Sequence, residues 1–109
     1  ATPDGSCIRD YVHVHDLAEA HISALDYLER DERKFSTFNV GTGNGSSVFE
    51  VLAEIKRASG LDFEIDVQGR RAGDPPSLCA DVSRFENELG WKAKRGLAEI
   101  VDSAWAAIN

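Results

Sequence analysis

Arg9 and Arg71 are the side chains in this sequence best suited to holding a phosphorylated ligand. A guanidinium is a planar fork that matches phosphate oxygens and keeps its charge when partly buried. Arg70 is a weaker candidate of the same kind. Most loop arginines are solvated, so on chemistry alone Arg71 reads first as a surface residue. His13 and His15 invite a metal, but an alternating pair on a strand needs further ligands, and no Cys or His cluster supplies them. Both, and His21 with them, read as structural. Gly41, Gly43 and Gly45 could let a phosphate approach a helix start, yet Ser46 stands where a dinucleotide fingerprint needs its third glycine. That loop therefore reads as a tight turn. Cys7 and Cys79 have no C-x-x-C spacing, so neither a disulfide framework nor a zinc site is indicated.

These residues need elements to position them. Leu17, Ala20, Ala24, Leu25 and Leu28 recur at helical spacing, and Asp16 with Glu19 reads as an N-cap and its capping-box partner, which predicts a helix over 16–30. A mixed charge run from Glu29 to Lys34 reads as a solvated helix end and turn. Thr37-Phe38-Asn39-Val40 reads as a buried strand entering the glycine turn. Ser47 and Glu50 form a second capping box, Val48, Val51, Leu52 and Ile55 form one stripe, and Gly60 sits where a left-handed cap belongs. Phe63, Ile65 and Val67 alternate with polar residues, the period of a half-buried strand. The polar 69–76 loop, with its prolines and glycines, is a place for binding groups. Ser83 with Glu86 predicts a capped short helix closed by Gly90, and Leu97, Ile100, Val101, Ala104, Trp105 and Ile108 predict a clear amphipathic one.

The length, 109 residues, has room for one domain or one lobe of a larger one. A net charge of −7 argues against nucleic acid, whose binding draws on Lys and Arg, although a few local arginines still serve a small anion. No apolar run approaches the roughly 20 residues that span a bilayer, so no membrane partner is expected. The opening residues carry no signal-peptide pattern and read as a loop entered in mid-protein. With its two cysteines unpaired, the chain suits a reducing cytoplasm.

Two stretches carry a family resemblance. Asp4-Gly5-Ser6-Cys7-Ile8-Arg9-Asp10-Tyr11-Val12-His13-Val14 matches D-G-[ST]-x-x-R-D-Y-x-H-V, and Arg71-Ala72-Gly73-Asp74 matches R-x-G-D. Together they resemble the UDP-glucose 4-epimerase group of the extended short-chain dehydrogenase/reductase family. Phe38-Asn39-Val40-Gly41, Ala80-Asp81-Val82-Ser83 and Leu89-Gly90-Trp91 follow in the family's order, so the likeness runs through nearly the whole chain. The resemblance implies an α/β fold: the C-terminal, substrate-binding lobe of such an enzyme, with about four helices and two or three short strands. Residues 1–109 would form that single lobe, with 8–45 packing on an NAD-binding domain outside this sequence.

The same resemblance implies that Arg9 and Arg71 contact the UDP diphosphate, that Asp74 accepts from the ribose hydroxyls, that Tyr11 stands near the phosphate, and that Leu78 gates the sugar pocket. The substrates would be UDP-glucose and UDP-galactose. In the family a Tyr-x-x-x-Lys pair takes the proton from the sugar 4-hydroxyl while NAD takes the hydride. Here Tyr11 is followed four residues later by His15 and Tyr27 by Asp31, so the catalytic pair and the NAD site are expected in the N-terminal domain and not in this chain. A glucuronate epimerase, a decarboxylase of the same family, or a non-catalytic nucleotide-sugar-binding module stay open as alternatives. Apolar area facing the absent domain would be exposed in the isolated chain, which is then expected to form a homodimer.

Overall fold

The computed structural model describes residues 2–30 and 36–108. Along them run β1 (Ile8–Arg9), α1 (Val14–Arg30), β2 (Ser46–Ser47), α2 (Val48–Ser59), β3 (Ser77–Leu78), α3 (Ser83–Leu89) and α4 (Leu97–Ile108). The expected four helices are present, and the α/β class holds. β1 is the centre of a sheet ordered β2-β1-β3, antiparallel to β2 with Ile8 opposite Ser47, and parallel to β3 with Arg9 opposite Leu78. Most of the charged turn expected after α1 lies outside the described residues.

Neither segment expected to be a strand is one. Residues 37–40 and 63–67 belong to no sheet, because a strand exists only through a hydrogen-bonded neighbour and none is offered to them among the described residues. The actual strands are two residues each, too short for alternation to register. Residues 37–40 are held by side chains instead. Tyr27, Phe38, Phe85 and Trp91 stack edge to face in sequence, with centroids 5.4, 5.2 and 5.4 Å apart. The Arg84 guanidinium covers Phe38 at 4.7 Å and donates to the Thr37 carbonyl at 2.9 Å. Ala20, Phe85 and Trp91 form the core, with Phe38, Val40, Leu89 and Ala93 packed around them.

Of the three expected capping boxes, one forms. The Ser47 hydroxyl accepts from the Glu50 N–H at 3.1 Å and the Glu50 carboxylate accepts from the Ser47 N–H at 3.0 Å, while Gly60 and Gly90 close α2 and α3 at φ of 69° and 71°. Ser47 is buried and also donates to Asp4. Ser47→Ala is therefore expected to lower stability by about 1–2 kcal/mol, read as a drop in the urea midpoint with the slope unchanged. Ser83 caps nothing, since its N–H and hydroxyl both donate to Asp81.

Asp16 differs most from expectation. α1 starts two residues earlier, and His13 takes the cap position, its Nδ1 accepting from the His15 N–H at 3.0 Å. The His13 Nε2 then faces the Ser103 hydroxyl at 3.0 Å, linking the start of α1 to α4. His13 and His15 thus straddle a helix start, not a strand. Asp16 turns inward and is 0% exposed. Its carboxylate accepts from the Lys94 N–H at 3.1 Å, the Arg95 N–H at 2.9 Å and the Arg95 guanidinium at 2.6 Å.

The chain is thin, at 53 × 35 × 19 Å, with a radius of gyration of 16.7 Å against about 13 Å for a compact domain of this size. Its accessible surface is 7658 Å². A compact monomer of 11.9 kDa has about 6,000 Å². Part of the excess is apolar. The expected α1 stripe splits, with Ala20 buried but Leu28 exposed and Leu25 63% exposed beside the exposed Val14 and Ile22.

Candidate functional site

Gly73, at φ 85°, lets the chain turn so that the Asp74 N–H donates to the Arg71 carbonyl at 3.3 Å. The turn brings the two side chains together. Arg71 Nε and Nη2 both meet Asp74 Oδ2, at 3.0 and 2.9 Å. The Arg71 side chain is 85% exposed and that of Asp74 only 33%, so the arginine projects from a carboxylate seated in the wall. Arg70, expected to matter less, anchors the loop: it donates to the Gly5 carbonyl at 3.3 Å and lies 3.6 Å from the Cys7 sulfur.

The loop closes one side of a 460 Å³ groove whose other walls are residues 4–7 and the first turns of α2, through Val48, Phe49 and Leu52. Ile65 and Val67, the latter 72% exposed, line it from the segment whose strand did not form. Guanidinium and carboxylate at the rim of an apolar trough can hold an anion, a polyol and a flat apolar ring at once. Val48 and Leu52 belong to the expected α2 stripe and Phe49 does not; spacing identifies an apolar face but not what covers it.

Arg9 and Leu78, paired across β1 and β3, line a second, open depression with Asp10, residues 38–40 and residues 79–81. Arg9 is half-buried and its Nη1 donates to the Ile8 carbonyl at 2.7 Å. Tyr11 lines a third, of 220 Å³, with Thr42, Asn44, Ser46 and residues 92–97. The five predicted residues therefore fall into three places: Arg71 with Asp74, Arg9 with Leu78, and Tyr11. Residues 4–11 run past all three, lining each in turn.

The glycine turn is filled from within the protein. Asp10 accepts from the Thr42 N–H at 3.0 and 3.1 Å, the Thr42 hydroxyl at 2.6 Å and the Gly43 N–H at 2.9 Å. A carboxylate thus occupies the N–H groups that a phosphate would use. Burial pushes the Asp10 carboxyl up, but hydrogen bonds from Thr42, Gly43 and Ala80 outweigh it and hold the group below its usual 3.8. The Cys79 thiol, in an exposed residue, is pushed up by partial desolvation and by the charge of Asp10, 3.8 Å away. At Asp16 burial again opposes, and hydrogen bonds from Arg95 and Lys94 lower the carboxyl.

For both aspartates the folded value lies below the unfolded one, so their contribution is complete above about pH 4 and lost as pH falls through the lowered value. Melting temperature is expected to hold from about pH 7 to pH 5 and to fall steeply below about pH 4. A flat profile down to about pH 2 would contradict this.

The GDP-mannose 4,6 dehydratase family matches residues 2–104. A UDP-glucose 4-epimerase of Schizosaccharomyces pombe is 47% identical over 95% of this chain and 29% of its own length. The crystal structure of the Bifidobacterium longum UDP-glucose 4-epimerase, in complex with NAD+ and UDP, superposes with a TM-score of 0.87 at 39% identity over 99% of this chain and 32% of that one. The UDP-Glc/GlcNAc 4-epimerase of Campylobacter jejuni superposes with a TM-score of 0.86 at 46% identity, over 96% and 32%. The chain spans about a third of the length of these relatives. By a match that takes in nearly all of its residues, it belongs to the GDP-mannose 4,6 dehydratase family of extended short-chain dehydrogenase/reductases.

Proposed function

We propose that this chain is the C-terminal, substrate-binding part of an NAD-dependent enzyme that interconverts UDP-glucose and UDP-galactose. The observation that carries the reading is the Arg71–Asp74 pair held by the Gly73 turn at the rim of the apolar groove. An exposed ion pair of this kind contributes little, so a nucleotide can part it at small cost. Arg71 then meets the diphosphate and Asp74 the ribose hydroxyls, while Val48, Phe49 and Leu52 face the base. Arg9 reaches the diphosphate from the second depression, Tyr11 stands near it, and Leu78 limits the sugar.

NAD and the proton-transferring Tyr-x-x-x-Lys pair belong, on this reading, to an N-terminal domain of the intact enzyme. NAD supplies the transient oxidation of the sugar; the residues described here bind and orient the nucleotide. The exposed α1 face and the unpaired residues 37–40 support packing of residues 8–45 on that domain. In the isolated chain a second copy covers the same face, and light scattering at high concentration is expected to find a dimer. The activity places the enzyme in galactose metabolism, and the free thiols of Cys7 and Cys79 suit the cytoplasm.

The test is conversion of UDP-galactose to UDP-glucose by the intact enzyme with NAD. Turnover of a UDP-glucuronate substrate with no turnover of UDP-galactose would assign the chain to a different UDP-sugar enzyme of the family. Binding of UDP with no turnover of any UDP-sugar would make it a binding module.

A further inference from the structure

Asp10 stands between Arg9 and Tyr11, and nothing in the proposed binding scheme uses it. Its carboxylate is the most heavily engaged polar group near the site. Three donors converge on it from Thr42 and Gly43, and the Cys79 thiol approaches at 3.8 Å from the segment after β3. Gly41 is shaped around it: a Cβ there would lie 2.5 Å from Asp10 Oδ2 and 3.1 Å from the Ala80 Cβ. With both oxygens held, that carboxylate has no freedom to move aside, so the glycine is required by the contact. One side chain thus ties the end of β1 to the turn before β2 and to the segment after β3. The backbone at Arg9, which lies opposite Leu78, has its place set by that tie.

We propose that Asp10 is a positioning residue for nucleotide-sugar binding, setting where Arg9 meets the diphosphate without touching the ligand itself. This rests on the reading of Arg9 as a diphosphate contact. The physical requirement is for a group that only accepts. Asparagine has nearly the same shape, but its NH2 would face the Gly43 N–H or the Thr42 donors, and two donors repel. The carboxylate is also held ionised, since the hydrogen bonds it accepts keep it below the ordinary range despite its burial.

The experiment is calorimetric titration of the intact enzyme with UDP, comparing Asp10→Asn, Arg9→Ala and the double variant, with Arg71→Ala alongside. Asp10→Asn is expected to weaken UDP about tenfold in the native background and less than about twofold once Arg9 is alanine, because its effect passes through that side chain. A role confined to folding would weaken UDP equally in both backgrounds, and that result overturns the proposal. So does unchanged UDP affinity in Asp10→Asn. If Asp10→Asn does not fold, Thr42→Val serves: it removes one donor and keeps both backbone N–H groups. Its expected loss is about threefold, again absent without Arg9. If Arg9→Ala and Arg71→Ala both leave UDP affinity unchanged, the diphosphate reading has failed and this proposal with it. Loss of affinity in those two variants but not in Asp10→Asn or Thr42→Val sinks the positioning role alone.

Discussion

Arg71→Ala is expected to weaken UDP binding by the intact enzyme about 30- to 100-fold, the loss of one charge-assisted fork from a diphosphate. The fold should not notice. The Arg71 side chain is 85% exposed and its ion pair is with Asp74 three residues on, so the melting temperature is expected to stay within about 2 °C. Arg71→Lys separates charge from shape. The ammonium keeps the charge but loses the planar fork, and about a tenfold weakening should remain. In turnover the defect should fall mainly on KM, since a diphosphate contact is made equally in the ground state and the transition state. A kcat collapse with KM unchanged would instead place Arg71 at the reacting sugar. Unchanged affinity in a folded Arg71→Ala protein would remove the groove as the nucleotide site.

Asp16→Ala carries the largest expected effect on stability, about 2–3 kcal/mol, measured by urea denaturation. The carboxylate is wholly buried and three donors depend on it: two successive backbone N–H groups at Lys94 and Arg95, and the Arg95 guanidinium. Alanine strands the two backbone N–H groups and takes the nearer partner from the guanidinium. The figure sits below that for breaking a fully buried ion pair because Arg95 is a quarter exposed and keeps Glu19 at 3.5 Å. Asp16→Asn is expected to recover only part of the loss, since its amide accepts through one oxygen and sets an NH2 against the remaining donors. A loss within about 0.5 kcal/mol would mean that water replaces the carboxylate and that the clip is not structural.

Local readings succeeded where one segment held all the interacting groups. Ser47, Glu50 and Gly60 bound α2 as read, because a capping box and a left-handed cap act within a few residues. Gly90 and the amphipathic 97–108 stretch likewise became the end of α3 and the helix α4. The R-x-G-D segment also carried its geometry with it, since Gly73 supplies the left-handed residue at which the chain turns Arg71 onto Asp74. Asp16 and Ser83 failed as caps for the opposite reason. Asp16 had acceptors' work waiting 78 and 79 residues away, and Ser83 was claimed by Asp81.

Sequence by itself determined the helices, the tight glycine turn and which loop side chains carry the chemistry to meet an anion, because periodicity, capping and side-chain chemistry are properties of short segments. Only the tertiary structure decided the strands, since pairing of Ile8 with Ser47 and Ser77 depends on segments up to 69 residues apart meeting in space. It alone decided that Asp10 fills the Gly41–Gly43 turn, that the Val48–Leu52 face opens into a groove, and that Arg71, Arg9 and Tyr11 line three depressions along one stretch of chain. Each of these depends on what a group meets across space, and a hydrogen-bond partner or covering surface far along the chain leaves no period in the sequence to read.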